Sequence, residues 1–421
     1  MEKKKIFIVG VGAQGSAVAQ YLDSNPMVSE IICADRDENA VNERVRRLKK
    51  GRGIVVDASD EESIAAVAKD VDLVVNAIPG ELMIHTLKAA AAAKTNYQDF
   101  VAPYGEFADN DLEAYGLFID KYDPIFKANG KTALVNTGAS PGITNLVARH
   151  TMRYLDTCHT IKVLYHEGLR TKRFIPFWFS PESALFCMAN PGWAYVDGKL
   201  IKTKPYEPAL YRDWPELGRT TAFYEHFHNE PTTFAYYSKE YYKGVKNGYF
   251  KYGGVGMEFA KPLYDLGLLS MEPEEIDGVK IVPFKVIAGH LPPTPKFTDE
   301  IKAIIEEGII EENSAAVVES TGMKDGKEIM VEAHINSPGL VESFERAGLS
   351  AEMYQTGLGG AIFARMLIEG KFADSGVFAT DTVSFDQVDC YFEYAKELGH
   401  TFEVKICDPV EGDLPVIQFT E

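Results

Sequence analysis

The sequence predicts an α/β protein: a doubly wound parallel sheet, then a second, mixed α/β domain, then a C-terminal segment that returns to the first domain. Three observations carry that expectation. Short β-branched runs alternate with helical periodicity through the first third; after Pro141 and Gly142 the texture changes to longer strands, hairpin turns and many aromatics; and an apolar helical pattern reappears over 354–369. The boundaries expected are 1–142, 143–345 and 346–421. At about 150 residues per domain, a chain of 421 residues has room for this division.

In the first region the runs at 6–9, 31–34, 53–56, 71–75, near Tyr97 and at 132–135 read as strands. The stretches at 13–22, 38–50, 61–68, 82–93 and 111–128 read as helices between them. Near-continuous apolar strands suit a parallel sheet covered on both faces. The basic start, Lys3-Lys4-Lys5 before an apolar run, imitates a signal peptide, but the run breaks at Gly10 without a small-residue cleavage site, so it reads as the first strand. In the second region, Asp197-Gly198 separates apolar runs at 193–196 and 199–201, and Asp325-Gly326 separates 315–320 from 328–333; a D-G pair in that setting predicts a hairpin.

Composition narrows the partners. The 46% hydrophobic and 25% charged fractions are those of a globular protein. With 43 Lys and Arg against 62 Asp and Glu, the formal charge of -19 argues against nucleic acid and anionic membrane surfaces. No apolar stretch reaches the about 18 residues a membrane span needs. Five scattered cysteines without C-x-x-C spacing fit neither a disulfide framework nor a zinc cage, and point to a reducing cytoplasm.

Gly10-Val11-Gly12-Ala13-Gln14-Gly15 is a G-x-G-x-x-G sequence between a strand and a helix. Gly10 suits the tight turn, Gly12 lets backbone approach a pyrophosphate and Gly15 permits close helix–strand packing; this is the fingerprint of a Rossmann domain. Asp35, at the end of the second run, stands where a carboxylate bonds a ribose 2′-hydroxyl, which favours NAD. Arg36 and the run Arg44, Arg46, Arg47, Lys49, Lys50 and Arg52 keep NADP open, although such a run also suits a solvated helix face. Asp57, ending the third strand, suits an adenine flank or a helix cap, and Asn76, Ala77 and Pro79 follow the fourth strand. Asp99 and the turn at 138–142 end the next two strands, so these positions converge on one crevice.

The chain resembles the saccharopine dehydrogenase family, which includes lysine 6-dehydrogenase and carboxynorspermidine dehydrogenase. The residues that carry the resemblance are Gly10 to Gly15, Val74-Val75-Asn76-Ala77 with Pro79, Asn96-Tyr97-Gln98-Asp99 and Gly138-Ala139-Ser140-Pro141-Gly142. Further matches are Phe179-Ser180-Pro181-Glu182, Leu266-Gly267-Leu268-Leu269-Ser270 and Thr356-Gly357. The resemblance implies an NAD- or NADP-dependent oxidoreductase moving hydride at a C–N bond of an amino-acid or diamine substrate. It also implies a middle domain that supplies substrate contacts and a homodimer surface. Many relatives carry Arg-Tyr-x-Gly-His where this chain reads Lys251-Tyr252-Gly253-Gly254-Val255, so the usual histidine is absent.

Amine oxidation needs a proton acceptor and a cationic site for a carboxylate. Asp99 and His166 are the candidate proton-handling residues; capping is the competing role for Asp99, and a surface position for His166. Glu167, Arg170, Arg173, His228 and Lys251 are the candidate substrate contacts, with Arg219 a further cation. His226, His228 and Glu230 would share one side of a strand, but no fourth ligand is near and no metal is expected. Phe174, Phe177, Trp178 and Phe179 read as core or as a pocket wall. Two other readings stay open: an amine dehydrogenase that releases ammonia, and a non-catalytic dinucleotide sensor.

Overall fold

The computed structural model describes residues 3–207, 209–214, 218–372 and 374–409. The chain forms two compact units: Met1–His150 with Ala351–Thr401, and Thr151–Ser350 with the described residues from Phe402 onward.

The first unit is built on β1 (Lys4–Val9), β2 (Val28–Asp35), β3 (Gly51–Val55), β4 (Leu73–Asn76), β5 (Asn96–Asp99), β6 (Thr132–Val135) and a late strand, Gly376–Ala379. They pair in the order late strand, β6, β5, β4, β1, β2, β3, all parallel. The chain moves from β1 to β2 and β3 on one side, then crosses to β4 on the other. The carboxyl ends of β1 and β4 therefore flank the switch point, where open α/β sheets bind ligands. Helices Ala13–Ser24, Glu38–Val45, Glu61–Ala68, Met83–Ala93 and Asp111–Ala128 form the crossovers. Ile6, Ile8, Val18, Leu22, Ile31, Cys33 and Val75 pack with Ala361 and Ala364, so the late segment completes this core.

Two local departures have physical causes. The helix expected over 38–50 ends at Val45. Asp23 accepts from the amides of Lys49 and Lys50 at 3.1 and 2.8 Å where the chain turns into β3, which begins at Gly51, two residues before the expected run. The late helix is regular over Leu358–Ile368, but its first turn, Met353–Gly357, is a π-helix.

In the second unit, β7 (Thr157–Glu167) is central. Around it run β8 (Leu169–Thr171), β9 (Trp193–Val196), β10 (Lys199–Lys202), β11 (Leu210–Trp214), β12 (Arg219–Glu225), β13 (Asn247–Gly254), β14 (Glu274–Ile276), β15 (Val279–Ile281), β16 (Ile309–Glu312), β17 (Ala315–Lys324) and β18 (Lys327–Asn336). The main sheet is mixed: β13 runs parallel to β7 and β17 antiparallel to it. Both D-G pairs are hairpin turns, with positive φ at Asp197, Gly198, Asp325 and Gly326, as a type I′ turn demands. The second hairpin is longer than its apolar runs suggested, pairing through to Lys324 and Lys327.

One face of this sheet holds Leu164, Leu210, Phe223 and Val317. The same face carries Lys162 and Glu319, directly opposite each other on β7 and β17 and each only 5% exposed. Arg212 on β11 donates to both Glu319 oxygens at 3.0 and 2.8 Å, so a buried carboxylate ties the β11–β12 hairpin to the sheet. The region 346–421 is divided between the units. Residues 351–401 belong to the first, whereas the strand Thr401–Cys407 pairs beside β18. Residues 410–421 lie outside the described part.

Among the described residues no helix is long and apolar enough to cross a membrane.

Candidate functional site

At the switch point of the first sheet, Gly10 leaves β1 with φ +94, its amide bonded to Ala34 O at 2.8 Å. A Cβ there would meet Ala77 O at 2.8 Å, and one on Gly15 would meet Gly10 O at 2.0 Å. These two glycines permit the helix Ala13–Ser24 to start almost against the turn that feeds it. Gly12 differs: a Cβ on it would meet nothing within 4 Å. No side chain caps the helix at Gly12, and its first turn holds no acid. The result is an open backbone surface at the positive end of a helix dipole, which suits a pyrophosphate.

Asp35 closes the other side. Its Oδ2 accepts from the Val11 amide at 3.0 Å and its Oδ1 from the Asp37 amide at 3.2 Å, so the half-buried carboxylate is held beside the glycine turn. Arg36 is exposed. Asp57 is exposed too, and accepts from the Ser59 hydroxyl and amide at 2.7 and 2.9 Å. Those bonds, with a smaller contribution from Arg36, hold its carboxyl below the usual range. The next helix is capped by Asp60 instead, which accepts from Ser63 N at 3.0 Å. Within the basic run, Arg46 and Arg47 both bond Glu43, Arg52 bonds Glu30 and the Lys50 ammonium bonds Asn25 O. Two carboxylates, Glu43 and Glu30, thus pair with three of the six cations of the run.

Ala77 follows β4 with its amide on Val9 O at 2.8 Å, and Pro79 is extended. Asn76 is fully buried and donates to Met83 O at 3.0 Å and to the Tyr97 hydroxyl at 2.8 Å, so its side chain serves the strand edge.

Asp99 is also fully buried. Its Oδ1 accepts from the Asn136 amide at 3.0 Å, and its backbone carbonyl accepts from the Thr137 hydroxyl at 2.6 Å. Oδ2 has no hydrogen-bond partner among the described residues. Burial pushes this carboxyl well above its ordinary range, against the opposing pull of the Asn136 amide and the Tyr97 hydroxyl. The side chain joins the ends of β5 and β6, where Asn136 turns with φ +59.

The candidates of the second unit fall into separate groups. His166 and Glu167 end β7 in register with Gly253 and Gly254, and the ring of His166 is buried edge-on against Phe223. Lys251 is buried and paired with Glu225, its cross-strand neighbour. Burial raises the Glu225 pKa and Lys251 lowers it. Arg170 is bound to Glu258 and Arg173 to Glu307, both at the surface. These guanidiniums are occupied by carboxylates of the chain itself. The Arg219 side chain lies outside the described part.

His226 and His228 are not on a strand. β12 ends at Glu225, and Glu230 opens the helix Glu230–Tyr236. His228 bonds buried Glu230 and stacks on Phe250 at 3.8 Å, while His226 stacks on Tyr252 at 4.9 Å. Burial, and then the adjacent His228, hold the His226 pKa well below its ordinary value. Among the described residues no group of three or more His, Cys, Asp or Glu is arranged to hold a metal ion. Phe177 and Trp178 are core, whereas Phe174 is exposed. Glu225 was not legible as a site residue, because its partner lies 26 positions away and only sheet register joins them.

A parallel sheet with an open glycine turn, an uncapped helix start and an acid ending the second strand defines a dinucleotide-binding protein of the nicotinamide oxidoreductase class. Comparison with known proteins gives the particular family. Residues 6–134 match the family model described as the saccharopine dehydrogenase NADP binding domain, and residues 138–402 match the saccharopine dehydrogenase C-terminal domain. The chain belongs to the saccharopine dehydrogenase family and is an NAD(P)-binding oxidoreductase. It is 24% identical to carboxynorspermidine synthase of Vibrio alginolyticus, over 96% of this chain and 97% of that protein. With carboxyaminopropylagmatine dehydrogenase of Synechocystis the identity is 22%, over 91% of this chain and 93% of that one. The fold is that of apo saccharopine dehydrogenase (L-Glu forming) from Saccharomyces cerevisiae, with a TM-score of 0.67 at 18% identity, covering 96% of this chain and 99% of that one.

The geometry of the first unit yields predictions of two kinds, one for the glycine turn and one for a buried acid. Gly12→Ala should unfold in urea as the parent does yet bind NADPH at least about tenfold more weakly. Gly15→Ala should lose about 2–4 kcal/mol of stability, because its Cβ overlaps a backbone oxygen. The second concerns Asp99. A carboxyl whose folded pKa is raised binds its proton more tightly folded than unfolded, so stability falls as pH rises above the unfolded value of about 3.9, by at most about 1.36 kcal/mol per pH unit. Asp99→Asn cannot ionise and should gain on the parent as pH rises above about 4. Denaturation profiles that stay parallel over that range would show Asp99 to be ionised in the folded protein.

Proposed function

We propose that this protein transfers hydride between NAD(P) and the C–N bond of an amino-acid or polyamine-type substrate, reducing the imine formed from an amine and a carbonyl compound or oxidising the corresponding amine. The observation that carries this reading is similarity through both units to two relatives whose names denote a carboxylated norspermidine and a carboxylated aminopropylagmatine. The nicotinamide, when bound, supplies or accepts the hydride. In the imine-reducing direction one hydride reaches carbon and one proton reaches nitrogen; oxidation returns both.

The residues of the chain divide this work. Gly10 to Gly15 and Asp35 hold the dinucleotide, with Ala77 and Pro79 beside them at the strand edge. Asp99, enclosed and bonded to the Asn136 amide, is assigned to holding the β5–β6 edge in place of proton transfer. Glu167, the half-buried end of β7, is assigned the proton-handling role, with His166 beside it. Lys251, buried and paired with Glu225, is assigned to tying β12 to β13 and not to holding a substrate carboxylate.

An activity screen of NADH or NADPH oxidation with diamine and aldehyde pairs, and of NAD(P) reduction with basic amino acids, tests the reading. Turnover with at least one pair is expected. Tight NADPH binding without turnover of any amine or imine would instead leave a dinucleotide sensor, and ammonia release on oxidation would favour the primary-amine dehydrogenase.

A homodimer formed through the second unit is part of the proposal, supported by the exposed apolar side chains Leu266, Ile276 and Val279, at 73%, 53% and 61% exposure. Light scattering should give twice the chain mass; a monomer at micromolar concentration overturns it. A cytoplasmic location is supported by five free cysteines, and fractionation to any other compartment overturns that.

A further inference from the structure

Glu352, at the start of the π-turn, reaches the glycine loop of the first unit. Its Oε1 accepts from Gln14 Nε2 at 3.1 Å and from the Thr356 hydroxyl at 2.7 Å. The other end of the Gln14 amide, Oε1, is enclosed and has no hydrogen-bond partner among the described residues. One acceptor therefore sets the orientation of this side chain. Gln14 is itself the second helical residue after Gly12, on the turn whose amides face the open backbone surface.

The packing around this bond is equally specific. A Cβ on Gly357 would meet Ala17 Cβ at 2.5 Å and Gln14 Oε1 at 3.0 Å, so only glycine lets the π-turn lie this close to the first helix. The extra residue of a π-turn offsets the helix register, which places Glu352 toward Gln14 and Gly357 against Ala17 within the same turn. Such single-turn widenings recur at functional positions.

We infer that Glu352 is a positioning residue for dinucleotide binding: through Gln14, the late segment sets the pose of the phosphate-facing turn. The contact is not needed to form the sheet, since the core beneath it is apolar and independent of the carboxylate. Its effect should fall on the loop and hence on the cofactor. This inference rests on the dinucleotide site alone and stands apart from the identity of the substrate.

The test is the dissociation constant for NADPH, measured by fluorescence titration on the full chain, for Glu352→Ala, Gln14→Ala and the double variant. Each single variant should weaken binding about tenfold, the scale of a hydrogen bond to a charged group. The double variant should be no weaker than either single, because both remove one interaction. Glu352→Gln, which keeps an oxygen acceptor, should retain affinity within about threefold. In turnover, KM for the cofactor should rise with kcat little changed. Single variants that bind NADPH within about twofold of the parent, or effects that multiply in the double variant, overturn the inference. Should Glu352→Ala fail to fold, Gln14→Ala and Thr356→Val decide alone: unaltered affinity in both overturns it, and a loss in Gln14→Ala larger than in Thr356→Val sustains it.

Discussion

The first helix begins so close to the strand turn that feeds it that no side chain fits between them. A Cβ on Gly15 would stand 2.0 Å from Gly10 O, and one on Gly10 would press on Ala77 O. This approach aligns three things at one edge of the parallel sheet: an uncapped helix start, the Val11 amide held by Asp35, and the backbone at Ala77. Separating the helix from the sheet by even one methyl group would break that alignment. The same closeness recurs where Gly357 meets Ala17, so the late segment is packed on the binding turn under the same steric constraint.

Charge in the second unit obeys a different constraint. Removing an ion from water costs several kcal/mol unless a partner and further hydrogen bonds replace the lost solvation. Accordingly Lys162, Glu319 and Arg212 are found together, as are Lys251 with Glu225 and His228 with Glu230. Arg170 and Arg173 at the surface, and Lys251 in the interior, are each paired with a carboxylate of the chain itself.

Burial separates chemistry from architecture among the acids. Asp35 stays half-buried, with both oxygens committed to backbone amides of the binding turn and of β2's end. Asp99 ends β5, three places across the sheet, yet it is fully enclosed and burial pushes its carboxyl well above the ordinary range. Two acids at equivalent strand ends thus do different work, because one edge is open and the other is roofed.

Local rules made much of this legible. Alternating runs marked the strands, the G-x-G-x-x-G spacing marked the tight turn and the D-G pairs marked both hairpins, since each depends only on residues a few positions apart. The turn at Lys49 and Lys50 that follows the helix was not legible, because its amides are held by Asp23 from an earlier helix. Nor was the enclosure of Asp99, the capture of Lys251 by Glu225, or the bond from Glu352 to Gln14 across 338 positions. By itself the sequence determined which elements form and where the dinucleotide turn lies, since steric and periodic signals are short-ranged. Which charges survive, and which side chain steadies the turn, only the tertiary structure decided: desolvation and pairing depend on neighbours that strand register and packing bring together.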